Sequence, residues 1–144
     1  MLHDIVIASD DARIGAGYAA LGLPPEFGLS LLLPSTIGRQ AAADLLLSGR
    51  MIDADEAHRI GLVSEVQPEA NIEASALDRA DRIARRPVAG LQWTKRLLRH
   101  AARHAWEDQL RAEYAAQLAL FDNPETRAAI SDAMSRLSDP PSPG

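Results

Sequence analysis

The chain has 144 residues, 47% of them hydrophobic and 24% charged, with a formal net charge of -5. That is the size of one domain with enough apolar side chains for a core, and the acidic balance argues against a general nucleic-acid binder, which carries a basic excess. Cysteine is absent, which excludes disulfides, thiolate metal ligands and a Cys nucleophile and fits a cytoplasmic protein.

In chain order, Ile5 to Ala8 reads as a strand ending in the turn cluster Ser9-Asp-Asp. A second short piece, Ala12 to Ile14, runs into Gly15-Ala-Gly. Small apolar residues lead to a Pro-Pro-Glu turn, after which Gly28 to Leu33 reads as a short helix stopped by Pro34. Ser35 or Thr36 is placed to cap a better helix, which Gly49 ends. Asp53, with Glu56 three residues later, has the spacing of a capping box and opens a helix that Gly61 stops. Leu62 to Val66 reads as a strand closed by Pro68.

Beyond that point the pattern changes. Residues 69–85, 88–104, 105–121 and 124–137 read as helices, and the tail 138–144, rich in Pro and Ser, is expected to be disordered. The chain is therefore expected to be α/β but mostly helical, with a mixed part over 1–68 and a helical part over 69–137. Two or three strands make no stable sheet alone, so the first strand is expected to need neighbours from outside this chain. The apolar runs are too short to span a bilayer, and the first residues lack the basic start and apolar run of a secretory signal. No membrane association is expected.

Glu26 is the candidate for chemistry. It stands among Leu21, Leu23, Phe27 and Leu29 in an otherwise apolar turn, and a carboxylate desolvated in a cleft is pushed toward the pKa range useful for proton transfer. The plainer alternative is a solvated turn residue stabilising the next helix through its dipole.

Several runs carry a resemblance. Asp4-Ile-Val-Ile-Ala-Ser-Asp-Asp-Ala-Arg-Ile-Gly, Leu21-Gly-Leu-Pro-Pro-Glu, Leu33-Pro with Ile37-Gly-Arg, Leu46-Leu-Ser-Gly-Arg-Met-Ile-Asp-Ala-Asp-Glu-Ala and Gly61-Leu-Val-Ser-Glu-Val-Gln-Pro are ordered and unbroken from Asp4 to Pro68. Together they resemble the crotonase (enoyl-CoA hydratase/isomerase) family. The likeness continues more loosely through Lys95-Arg-Leu-Leu and Asn123-Pro-Glu-Thr-Arg.

The resemblance implies a spiral of ββα turns followed by C-terminal helices that build a homo-trimer or hexamer. It also implies acyl-CoA thioester substrates of the kind met in fatty-acid metabolism, and an enolate held by two backbone N–H groups. Residues 1–68 match only the C-terminal part of such a spiral, and 69–137 match the oligomerisation helices. Both oxyanion donors belong to family segments before the first residues here, so the isolated chain is expected to turn over little or no substrate.

Where hydratases carry a carboxylate in the segment after Gly15, this chain has Tyr18, which argues against hydration. In the Δ3,Δ2-enoyl-CoA isomerase branch a Glu follows the Leu-Gly-x-x-Pro stretch, and Glu26 falls on that position. The resemblance thus implies an isomerase in which Glu26 removes a C2 proton and returns it to C4. Leu21, Phe27 and Leu31 would flank the acyl chain. No metal or redox cofactor is implied, CoA being part of the substrate. The alternatives are a non-catalytic acyl-CoA-binding or oligomerisation fragment, and a hydratase-like enzyme.

Other residues carry less. His100 and His104 stand four apart on a helix, but Arg99 and Arg103 beside them disfavour a cation, so no metal site is expected. Lys95, Arg96, Arg99 and Arg103 suit either CoA phosphates or pairing with Glu107, Asp108 and Glu113. Trp93 and Trp106 read as packing residues between helices, and Gly15-Ala-Gly lacks the third Gly of a dinucleotide fingerprint.

Overall fold

The computed structural model describes residues 3–100 and 103–138, apart from the side chains of 99, 100, 103, 104 and 138. Residues 1–2, 101–102 and 139–144 lie outside them, the last being part of the tail expected to be disordered.

Strand β1 is Ile7–Ser9 and β2 is Arg13–Gly15, followed by a 3₁₀ turn over Gly17–Leu21. Helices α1 (Leu29–Ile37) and α2 (Arg39–Ser48) come next, then strand β3 (Met51–Asp53) and helix α3 (Ala54–Arg59). Strand β4 is Glu65–Gln67, and four helices complete the chain: α4 (Ile72–Ala84), α5 (Val88–His100), α6 (Arg103–Phe121) and α7 (Pro124–Ser138).

β1 pairs parallel with β4, Ala8 opposite Val66, and β2 pairs antiparallel with β3, Ile14 opposite Ile52. The first strand therefore has one neighbour within this chain, in a sheet of two strands among the described residues. β3 was not legible in the sequence, because three residues between a helix-ending Gly and a capping Asp show no alternation.

Two corrections concern α1. Pro34 lies inside the helix. Ser35 and Thr36 do not cap the next one; both hydroxyls donate back to the Leu32 carbonyl at 2.8 Å, and Gly38 makes the break instead. A proline this far inside a helix removes one intrahelical bond, a cost of about 3 kcal/mol in an interior. Burial of Leu33 and a cap supplied from α6 offset it. At α3 the Asp53 cap forms, the Glu56 N–H donating to its carboxylate at 2.8 Å, while the Glu56 carboxylate turns to Arg50 rather than closing the box.

The core lies in the first half, where Ala8, Leu33, Ala42, Leu45, Ile52, Ala57 and Val63 form one buried cluster. Three of the seven are alanines, so the elements approach closely there. Among the described residues the later helices add nothing to that cluster. Instead α5 to α7 expose Trp93, Leu97, Tyr114, Leu118, Phe121 and Leu137, the last at 87%. Trp93 is thus no packing residue between helices here; the Arg96 guanidinium covers its ring at 5.3 Å. Among the described residues no helix is long and apolar enough to cross a membrane.

Candidate active site

The segment from Tyr18 to Ser30 is shaped by two left-handed corners. Gly22 closes the 3₁₀ turn with φ 66°, and the Leu23 N–H returns to the Tyr18 carbonyl at 3.0 Å. Immediately after Glu26 come Phe27 at φ 56° and Gly28 at φ 73°. Phe27 is the one non-glycine among the described residues with positive φ, and that conformation costs an L-residue about 1–2 kcal/mol. Strain of this kind persists only where the surroundings over-determine it.

Those surroundings come from α6 and α7. Gln109, Glu113 and Gln117 recur every fourth residue on α6, so they share one face of the helix. All three reach the turn. Gln117 Nε2 donates to the Pro24 carbonyl at 2.9 Å, and Gln109 Nε2 donates to Ser30 Oγ at 2.7 Å. Glu113, only 5% exposed, accepts from the Gly28 N–H at 2.6 Å, the Ser30 N–H at 2.9 Å and the Ser30 hydroxyl. Since Gly28, the N-cap of α1, has no side chain to cap with, the carboxylate of a distant helix does so and meets the positive end of the helix dipole. Thr126 of α7 donates to the Gly22 carbonyl at 3.0 Å and is itself buried. Trp106 covers Gly28, leaving no room for a Cβ there.

Glu26 is half-buried in this frame, neither in bulk water nor sealed in the interior. Tyr18, also half-buried, stands near enough to feel its charge. Burial first, then the negative charges of Glu26 and Glu113, hold the Tyr18 phenol above its ordinary value of 10.0, because each disfavours a phenolate. The phenol stays protonated at neutral pH, so the group beside Glu26 is neutral.

The other sequence candidates are distributed as follows. Leu21 and Leu31 are half-buried, and Phe27 is 73% exposed. An apolar cavity of about 270 Å³ opens beside the core, with Ile14, Ala16, Leu29, Leu33 and Val63 in its wall. A second, of about 380 Å³, has Leu23, Pro24, Pro25 and Leu46 in its wall, with Arg39 at hand. The Glu26 turn thus contributes chain to two apolar hollows, on either side of it in sequence.

Lys95 pairs with Asp4 at 2.6 Å rather than with α6, and Glu113, grouped by sequence with the surface acids of α6, turns inward. The side chains of His100 and His104 lie outside the described residues, as do those of Arg99 and Arg103. Among the described residues no group of three or more His, Asp or Glu could hold a metal ion. Sequence reasoning missed Gln109, Glu113, Gln117, Thr126 and Ser30. The signal was present in the polar spacing along α6, but nothing local says that such a stripe faces a turn 80-odd residues earlier.

Comparison with known proteins places this geometry. The enoyl-CoA hydratase/isomerase family profile matches residues 1–136, nearly the whole chain. The chain belongs to the enoyl-CoA hydratase/isomerase family. A probable enoyl-CoA hydratase of Rhizobium meliloti is 43% identical over 84 residues, 58% of this chain and 33% of that protein. The 1,2-epoxyphenylacetyl-CoA isomerase of Escherichia coli is 30% identical over 135 residues, 94% of this chain and 52% of that protein. The crystal structure of an enoyl-CoA hydratase/isomerase from Pseudoalteromonas atlantica superimposes with a TM-score of 0.86 at 32% identity, covering 92% of this chain and 54% of that one.

The chain therefore spans between a third and about half the length of these relatives. Family members with hydratase names and members with isomerase names both match it. The family is shown by these matches, and no single branch within it.

Proposed function

We propose that this chain carries the proton-transfer half of an enoyl-CoA isomerase site, with Glu26 moving a proton between C2 and C4 of a 3-enoyl-CoA thioester. The observation that carries the reading is a half-buried carboxylate directly before a strained corner that α6 pins, with a neutral phenol beside it. Shifting the double bond needs one group within reach of two carbons, acting first as base and then as acid. A carboxylate next to a rigid corner suits that task. Leu21, Phe27 and Leu31 would flank the acyl chain, and CoA would arrive as part of the substrate, with no metal or redox cofactor.

The dienolate oxygen needs preorganised donors, each commonly worth about 3–4 kcal/mol. In this reading they come from the half of the family fold that this chain does not span, so the chain alone turns over little substrate. The exposed apolar faces of α5 to α7 support assembly of several copies, a trimer or hexamer, and a mass measurement in solution decides the number.

A hydratase is the second reading, favoured by the names of most relatives. Tyr18 speaks against it, since placing and splitting water takes two carboxylates and Glu113, the other one near Tyr18, is occupied by three donors from the turn. A non-catalytic acyl-CoA-binding fragment is the third.

The test joins the upstream half of the Rhizobium meliloti relative to residue 4 and follows conjugation of a 3-enoyl-CoA by ultraviolet absorbance. Glu26→Gln should lower the rate by roughly 10²–10⁴-fold. Isomerisation that survives the substitution removes Glu26 from the mechanism. Hydration of a 2-enoyl-CoA without isomerisation favours the second reading, and binding without either reaction the third.

A further inference from the structure

Glu113 is a nearly buried carboxylate, yet none of the ion pairs among the described residues involves it. A buried anion without a cation is costly unless donors saturate it. Here the donors are the Gly28 N–H, the Ser30 N–H and the Ser30 hydroxyl. They bracket the first residue of α1, directly after Glu26 and the strained Phe27. A helix could be capped locally by Ser, Thr, Asp or Asn at position 28. This chain uses a glycine and brings the anion from a helix 85 residues away.

We propose that Glu113 is a positioning residue for Glu26: by holding the two N–H groups it fixes the left-handed Phe27–Gly28 corner and with it the direction of the Glu26 carboxylate. Gln109 and Gln117 serve the same end, one orienting the Ser30 hydroxyl and the other holding Pro24, so the turn is gripped before and after Glu26. The proposal rests on Glu26 being the proton carrier for its functional meaning. The link from Glu113 to the turn can be measured without turnover.

Two readouts on the full chain test it. The first is amide hydrogen exchange, read residue by residue by NMR, in the native chain, Glu113→Gln and Glu113→Asp. Release of a charge-assisted bond should speed exchange at Gly28 and Ser30 about tenfold or more in Glu113→Gln, leaving α2 unchanged. The second is the ultraviolet titration of Tyr18 in a Tyr114→Phe background, where Tyr18 is the sole tyrosine. In the native chain Glu26→Gln should lower the Tyr18 midpoint, because the neighbouring charge is gone. In the Glu113→Gln chain, with the corner released, the same Glu26→Gln change should move it by less than half as much.

Unchanged protection at Gly28 and Ser30 overturns the proposal, and so does a Tyr18 response to Glu26→Gln that is equal in both backgrounds. Loss of α2 protection in both Glu113 variants also overturns it, since Glu113 would then hold the fold as a whole and not the turn. Loss of isomerisation in Glu26→Gln, or its survival, bears on the base alone and leaves these readouts unaffected.

Discussion

The sharpest physical demand in the structure falls on Gly28, and Gly28→Ala tests it. A Cβ at this position would stand 2.5 Å from Cη2 and 2.8 Å from Cε3 of Trp106, and φ is 73°. Two costs follow. Left-handed backbone penalises an L-residue by about 1–2 kcal/mol. Overpacking against a ring adds about 1–3 kcal/mol when the neighbour has to give. Their sum is about 2–5 kcal/mol, a large share of the stability of a small domain. Urea unfolding followed by far-ultraviolet circular dichroism measures it. The two costs separate in a Trp106→Leu background, where the ring is gone and only the backbone term remains. There Gly28→Ala should cost about 1–2 kcal/mol, and the difference between backgrounds is the coupling to the indole. An equal penalty in both backgrounds would refute the steric argument. A total below about 1 kcal/mol would refute the conformational one as well.

Three further outcomes follow from particular contacts. Tyr18 has its phenol pKa raised above 10.0; a proton bound more tightly in the folded state stabilises below the unfolded value and is lost as pH rises through the folded one. Stability should therefore decline at alkaline pH above about 10, and decline less in Tyr18→Phe, as urea midpoints across that range would show. Glu56 is held below 4.5 by the hydrogen bonds and charge of Arg50, so its contribution is complete above that value and disappears as pH falls through the lowered one; Arg50→Ala should flatten this part of the acid limb. Asp53→Ala removes the acceptor for the Glu56 N–H and should cost about 1 kcal/mol in urea unfolding.

Much of this protein is local and was legible in order. The Asp53 cap, the glycine stops at 49 and 61, and the helices of the second half all follow from interactions within a few residues. Such signals survive translation into structure because both partners lie in one window. Pro34 shows where local reading misleads. A proline usually ends a helix, but the helix continues when burial of Leu33 and an anion at its start outweigh one lost bond.

The sequence by itself determined the family-bearing runs, the helical second half and Glu26 as the ionisable group of an apolar turn. Only the tertiary structure decided how that turn is held: Tyr18 against Glu26, Trp106 over Gly28, and the polar face of α6 turned inward. The reason is distance along the chain. A stripe of Gln109, Glu113 and Gln117 is chemically indistinguishable from a solvated helix face until its helix packs, and the groups that satisfy it belong to a turn some 80 to 95 residues earlier.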